Sequence, residues 1–369
     1  MIFRRMPGKG AIFLTILACL MGSPAQSQEK PPERFVEELE VVEVLLDVLV
    51  TDKGGQVVIG LGPDDFQVEE DGEPVEINGV TFYSSREHLG SKEDLEQYGL
   101  SVDEVVEERY FILFFQQQRS AAADVPGLLG RQMEAARDVG RWLERDLQAR
   151  DLAAVAVFGT RLVIVQDFTN NIDDLQKAVS VTAQGQGGRR NWPSRQPDSA
   201  AGPSLLRNLP EGRELGKATG DTYEALQVLA RAAGKIQGRK ILVFFGRGVG
   251  EMNSFGLWEP DSRFFGPTVE SLNDNNVAVY PLSVMPQGSR HTLEHSLQAL
   301  AGETGGTYHR QYTSFTTPLD MIADENGGYY LLSYKSRKQS GESGFQRVKV
   351  KIRNPELVVR ARQGYLYGD

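Results

Sequence analysis

Few residues in this chain have the type and spacing that chemistry demands. His291 and His295 stand four apart and would share one helical face, which suits two metal ligands. Glu294 adjoins the second histidine, so no H-E-x-x-H pattern forms, and no third ligand accompanies the pair; solvated or helix-capping histidines are the reading. Gly212–Lys217 has the outline of a phosphate-binding loop, but its spacing is one residue short and Ala218 stands where Ser or Thr would hold Mg²⁺. There is no G-x-S-x-G elbow, and Ser343 falls in a turn between Gly341 and Gly344. Asp64-Asp65 and Glu69-Glu70-Asp71 lack the alternating oxygen spacing of a calcium loop and read as solvated turns. Tyr329, Tyr330, Tyr334, Tyr365 and Tyr367 have strand spacing and read as sheet packing rather than base stacking.

The composition agrees with that scarcity. Four histidines leave little for acid–base work, and no Ser/His/Asp or Cys/His arrangement is present, so the expectation is a protein that is not an enzyme. A single cysteine excludes a disulfide framework and a four-cysteine zinc site. With 369 residues and 40% hydrophobic content, the chain is long enough for about two domains with a sizeable core. A net charge of −10 argues against a general nucleic-acid binder.

The first 28 residues read as an export signal. Arg4, Arg5 and Lys9 precede an apolar run, Ala11–Met21, that is too short to span a bilayer, and Ala25-Gln26-Ser27 offers a cleavage site before Gln28. Ile16–Cys19 loosely resembles a lipobox, but Leu17 and the apolar Leu20-Met21 fit it poorly, so simple export to the periplasm or the exterior is favoured over a lipoprotein through Cys19. No transmembrane segment is expected after cleavage.

The elements that must position any site come next. Residues 33–108 carry 22 acidic against four basic side chains, whereas 335–369 carry nine basic against three acidic, which suggests that the two ends meet. Val41–Thr51, Asp65–Glu69 and Pro74–Tyr83 have strand character near the start, and Tyr329–Tyr334, Arg347–Arg353 and Leu357–Ala361 near the end. In Arg347–Arg353 the alternation of Val and Ile with Lys and Arg gives one buried and one basic face. Between them, strands are expected over Tyr110–Phe115, Leu152–Phe158, Leu162–Val165, Ile241–Phe245 and Val277–Leu282. Helices are expected near Gly130–Leu147, Asp173–Val181, Thr222–Lys235 (opened by an Asp221/Glu224 capping box) and Leu293–Ala301. This is an α/β pattern: a doubly wound, mostly parallel sheet over 109–325, inserted between an N-terminal segment, 33–108, and C-terminal strands, 326–369, that form a β-sandwich-like module. Residues 184–214, rich in Gly, Pro, Ser and Arg, read as a long loop.

LLDVLVTDKGGQVVIGLGPDDFQVEEDGEPVEI, GRKILVFFGRG, LAGETGGTYH, GYYLLSY and RVKVKIRNPELVVRARQGY, taken in order, resemble the VWFA-related acidobacterial-type family of exported bacterial proteins, which has the von Willebrand factor A (vWA) fold. The resemblance covers nearly the whole chain after the signal. It implies a ligand site at the C-terminal edge of the sheet, where many such domains hold a divalent ion through Asp-x-Ser-x-Ser, a Thr and a further Asp.

At the positions that match, those ligands are degraded. Gln116 replaces the first Asp, Gln118 the first Ser, and Ser120 remains; the Thr falls on Gly220, beside Asp221 and Thr222; and Arg247 stands at the second Asp. Two carboxylates are lost and a guanidinium is gained, which disfavours a cation. No metal and no cofactor are expected. These degenerate MIDAS positions would instead contact an unidentified protein partner, with Arg247 receiving a carboxylate and the glutamines adding amide donors. The plainer reading pairs Arg247 with Asp221 or Asp124. The alternatives to a binding protein are a hydrolase with an unrecognised site or a structural subunit of an envelope assembly.

Overall fold

A computed structural model describes residues 41–84, 108–117, 125–184, 202–286, 293–309, 313–339 and 343–367. The expected signal region, Cys19, Gln118, Ser120, Asp124 and His291 lie outside the described residues.

The chain begins with β1 (Val41–Thr51), β2 (Phe66–Glu70), β3 (Glu73–Val75) and β4 (Ile77–Ser84). The single strand expected over Pro74–Tyr83 is therefore two, which belong to different sheets. Pro74 cannot donate to a ladder, and β3 is accordingly a short edge strand. The chain then changes sheets at Glu76.

The middle segment runs β5 (Tyr110–Gln116), α1 (Val125–Asp146), β6 (Leu152–Phe158), β7 (Leu162–Thr169), α2 (Ile172–Ala183), α3 (Leu205–Asn208), α4 (Gly212–Lys217), α5 (Thr222–Gly234), β8 (Lys240–Gly246), α6 (Phe265–Asp274), β9 (Val277–Ser283), α7 (Glu294–Thr304) and α8 (Thr316–Glu325). Its five strands have the order β7-β6-β5-β8-β9, parallel except for the β6–β7 hairpin. Phe111, Leu113 and Phe115 point to one face, against Trp142 of α1, Leu175 of α2 and Leu319 of α8. Ile112 and Phe114 point to the other, against Leu226 and Leu229 of α5, Leu272 of α6 and Leu297 of α7. Cover on both faces explains why β5 reads as an unbroken apolar run. The loop expected over 184–214 contains α3 and the start of α4. Ser204 caps α3 by accepting the Arg207 N–H, and both hydroxyl and helix start are held by Asp167, which accepts from Ser204 Oγ at 2.6 Å and Leu205 N at 2.8 Å.

The chain closes with β10 (Gly328–Gln339), β11 (Gly344–Ile352), β12 (Val358–Ala361) and β13 (Gly364–Tyr367). These interleave with the first strands in two antiparallel four-stranded sheets, β12-β1-β10-β4 and β13-β11-β2-β3. Val44 lies opposite Tyr334, Val48 opposite Ala361, and Val68 opposite Val350. Both sheets contribute to one buried cluster that includes Leu46, Val48, Phe66, Val68, Tyr330, Leu332, Tyr334, Val348 and Tyr365. Lys351 pairs with Glu69 and Lys53 with Glu356, so basic and acidic ends are joined by direct ion pairs. Inside the cluster the Glu70 carboxylate accepts from Tyr365 Oη at 2.6 Å and Ser336 Oγ at 3.1 Å, which offsets the cost of burying its charge. No helix among the described residues is long and apolar enough to cross a membrane.

Candidate functional site

Parallel pairing sets Phe115 beside Phe245, so β5 and β8 end side by side and release Gln116 and Gly246-Arg247 at one edge of the sheet. The chain leaves β5 toward β6 on one side, while β8 lies on the other. Open α/β sheets form crevices at such reversals of strand order.

Gln116 ties the edge together. Its Nε2 donates to Gly248 O at 2.8 Å and Thr222 Oγ1 at 3.2 Å, and its Oε1 accepts the Arg247 N–H at 3.1 Å. Gln132 of α1 donates to the Gln116 carbonyl at 2.8 Å. Space here permits only glycine: a Cβ on Gly246 would stand 2.6 Å from Gln116 Oε1, and one on Gly248, at φ +132°, would stand 2.7 Å from Leu293 O.

Asp221 is the N-cap of α5 and accepts the Glu224 N–H at 2.9 Å. The expected capping box is not reciprocal: the Glu224 carboxylate accepts from Gly220 N at 2.7 Å, one residue beyond the cap. Gln116, Asp221, Thr222 and Arg247 thus line one open cleft of about 720 Å³, with Gly220 immediately behind it. Arg247 is exposed on the cleft, and its guanidinium makes no ion pair with Asp221 among the described residues. His295 is exposed on α7 and takes no part.

The far wall of the cleft comes from residues 250–264, of which only Gly250 was expected at this edge. A tight hairpin is pinned by Asn253, whose Oδ1 accepts from both Phe255 N and Leu257 N at 3.0 Å and whose backbone N–H donates to Leu257 O at 2.8 Å. At its tip Phe255 is 86% exposed, flanked by Met252 and Leu257, both about half-exposed. Asn253 followed by Gly256 was the signal available, a turn pair inside an otherwise apolar run. Beyond it, Arg263 forks onto Asp261 at 3.0 and 2.7 Å, and that guanidinium holds the Asp261 carboxyl below its usual range. Glu259 accepts from the Asn253 amide at 2.9 Å. On the floor, burial pushes the Tyr223 hydroxyl upward in pKa. The Tyr223 hydroxyl and the Trp258 indole nitrogen both abut Gly250, where the indole N–H faces the hydroxyl oxygen and partly offsets that shift.

A second cleft, of about 880 Å³, lies where β12 meets the turn after α7. It mixes Arg347, Lys349 and Arg360 with Glu69 and Asp71, and Arg360 is already paired with buried Glu325. Among the described residues no three His, Cys, Asp or Glu side chains converge as metal ligands would.

No family model matches the chain, and no curated protein does. Solved structures similar to it include a von Willebrand factor type A protein from Catenulispora acidiphila, at 9% identity over 89% of this chain and 73% of that one, with a TM-score of 0.37. BatB from Bacteroides thetaiotaomicron is 13% identical over 59% of this chain and 97% of its own, with a TM-score of 0.36. An aerotolerance-related membrane protein from Bacteroides fragilis is 12% identical over 59% of this chain and 98% of its own, with a TM-score of 0.34. These likenesses are distant, and the functional reading stands on the chain's own geometry.

Proposed function

We propose that this chain is an exported, vWA-like, non-enzymatic protein that binds another protein through a metal-free cleft at the C-terminal edge of its parallel sheet. The vWA-like domain is carried on a β-sandwich-like module built from both ends of the chain. Ligand contact falls to Arg247, Asp221 and Thr222 around Gln116, with Gly220 behind them; Gln118 and Ser120 lie outside the described residues.

The observation that carries the metal-free part is the engagement of Gln116. Gln116 Oε1 uses one lone pair on the Arg247 N–H and Thr222 Oγ1 one on the Gln116 amide, so both are neutral, partly engaged oxygens where the family pattern has anionic ligands. Asp221 spends one carboxylate oxygen on the helix cap. The remaining charge at the matched positions is a guanidinium, which repels a divalent ion at short range. The residues present do not fit the metal that the family pattern would hold.

Two measurements test the proposal. Calorimetric titration with Mg²⁺ or Mn²⁺ is expected to give no binding heat, and a micromolar affinity would overturn the metal-free site. Site-specific photocrosslinking in the native envelope should capture one discrete partner from position 247 and none from a control position on α2. Equal labelling from both positions would overturn the edge as the binding surface.

A further inference from the structure

The hairpin after β8 presents an apolar tip. Phe255 is 86% exposed, and Met252 and Leu257 beside it are about half-exposed. The tip is nonetheless held in one shape. Asn253 Oδ1 accepts from Phe255 N and Leu257 N, and Gly256, at φ +73°, donates its N–H to Asn253 O at 2.9 Å. Trp258 anchors the base, its ring edge-on to Phe265 at 5.3 Å. An aromatic carried on such a frame loses little conformational freedom when it docks. Residues 250–261 include Glu251, Glu259 and Asp261 and no Lys or Arg. Arg263 neutralises Asp261, but Glu259 meets only the neutral Asn253 amide, and Glu251 has no ion pair among the described residues. The tip is therefore apolar with an acidic collar.

The second cleft has the opposite collar. Its floor is the glycine turn that ends α7. A Cβ on Gly305 would stand 2.8 Å from the Ala361 carbonyl carbon, so the turn lies flat on β12, while a Cβ on Gly302 would meet nothing within 4 Å. The lack of side chains on that floor gives the cleft its volume of about 880 Å³. Val350, Val358, Val359 and Ala361 supply an apolar lining. At the rim Arg347 and Lys349 are exposed and make no ion pair among the described residues. Glu69 is paired with Lys351, and Arg360 with Glu325, while Asp71 offsets part of the remaining positive charge.

Tip and cleft lie at opposite ends of α7. Val249 N donates to Ser296 Oγ at 2.9 Å in the first turn of that helix, whereas the cleft lies at its last turn. Eleven helical residues place those ends about 16 Å apart, so contact between tip and cleft joins two molecules head to tail.

We propose that the cleft receives a second copy of this chain: the Phe255 tip of one molecule packs on Val350, Val358 and Val359 of the next, with Glu251 and Glu259 facing Arg347 and Lys349. This goes beyond the edge-site reading and does not rest on it. The two surfaces differ, so the contact is heterologous and leaves one tip and one cleft available at the ends of every assembly. A buried Phe contributes about 150–250 Å², a small share of the about 1,600 Å² in a standard interface, so the association is weak and needs concentrated protein.

Sedimentation velocity on the purified full chain, at rising concentration, is expected to show growth past the dimer that salt suppresses. Phe255→Ser removes the tip, and Gly302→Phe fills the cleft from a position with room for a side chain. Each is expected to weaken self-association at least tenfold. Mixed, the two variants share one intact tip and one intact cleft, so they should form a one-to-one pair and nothing larger. Adding Arg347→Glu and Lys349→Glu to the Phe255→Ser chain should abolish that pair, and adding Glu251→Lys and Glu259→Lys to the Gly302→Phe chain should restore it. A wild-type chain that stays monomeric, a closed dimer, or failure of the two variants to pair overturns the inference. Phe255-dependent sedimentation of a monomeric chain with phosphatidylcholine vesicles also overturns it, by giving the tip to a lipid surface. The crosslink from position 247 reads the edge site alone, so the two proposals fail separately.

Discussion

The Gln116 side-chain amide is bonded to the backbone on both sides of the Arg247–Gly248 peptide, accepting from the Arg247 N–H and donating to the Gly248 carbonyl. One side chain at the end of β5 therefore fixes the path of the chain as it leaves β8. The exposed guanidinium of Arg247 is positioned through its backbone, and it makes no ion pair among the described residues.

Replacing Gln116 should loosen this edge in a graded way. Gln116→Glu keeps the acceptor but turns an oxygen toward the Gly248 carbonyl, while Gln116→Leu leaves both backbone groups unsatisfied. Either is expected to cost about 2 kcal/mol by urea denaturation. Hydrogen exchange should quicken selectively at Arg247 N–H. Unchanged exchange there would show that the loop holds its path without the clamp.

A buried ion pair ties the residue before β5 to the turn that leads into β6. Arg109 and Asp151 meet at 2.7 and 2.6 Å, both almost wholly buried, and Arg109 also donates to Ala323 O at 2.9 Å. Removing one partner strands the other charge, so Arg109→Met or Asp151→Leu alone is expected to cost about 3–5 kcal/mol. The double variant should recover much of that loss. A strictly additive result in a double-mutant cycle would refute the coupling.

Acid sensitivity should trace in part to His309. Burial, with Arg360 nearby, lowers its pKa from 6.5 to about 4, so the folded state keeps the ring neutral while the unfolded chain protonates it. Between those two values the unfolded state binds more protons, and stability is lost as pH falls from 6.5 toward 4. The full contribution is about 3 kcal/mol at 1.36 kcal/mol per pKa unit. Buried Glu325, which also interacts with Arg360, has a raised pKa and acts in the opposite sense. His309→Phe leaves that group in place, so the difference between the two pH profiles isolates the histidine. Parallel profiles from pH 7 to 4.5 would exclude this assignment.

Legibility in the sequence followed the physics of each element. Leu152–Phe158 and Val41–Thr51 are observed with the ends that their apolar patterns suggested, because burial imposes the pattern directly. Helices α6 and α8 were missed because their start signals are not local. Neither has a side-chain cap, and α8 is opened by Asp138 on α1, which accepts from Phe315 N at 2.7 Å and Ser314 Oγ at 2.8 Å. Locally there is only Ser314, which accepts the Thr316 N–H at 3.1 Å, and Pro318 in the first turn. At the candidate site, Gln116, Asp221, Thr222 and Arg247 were singled out by the family resemblance, and the parallel pairing of β5 with β8 sets Gln116 beside Gly246-Arg247. The wall formed by Asn253, Phe255 and Asp261 was not foreseen. It is built from hydrogen bonds within an irregular segment, which has no periodicity to read.

The interleaving of first and last strands also governs the order of synthesis. β1 has β10 and β12 as its neighbours, and the Tyr330 hydroxyl that receives the Leu61 N–H is 269 residues away. At roughly 5–20 residues per second, a ribosome needs tens of seconds to supply those partners. During that interval β1 and β2 are nascent strands with unpaired edges, exposed to any chain that offers a complementary ladder. The five strands of the parallel sheet are all synthesised by Ser283, ahead of β10, which begins at Gly328. By folding first, this sheet gathers the chain on either side of it and shortens the loop that the last strands must close. This topology favours assembly from the middle outward, with the end strands paired last.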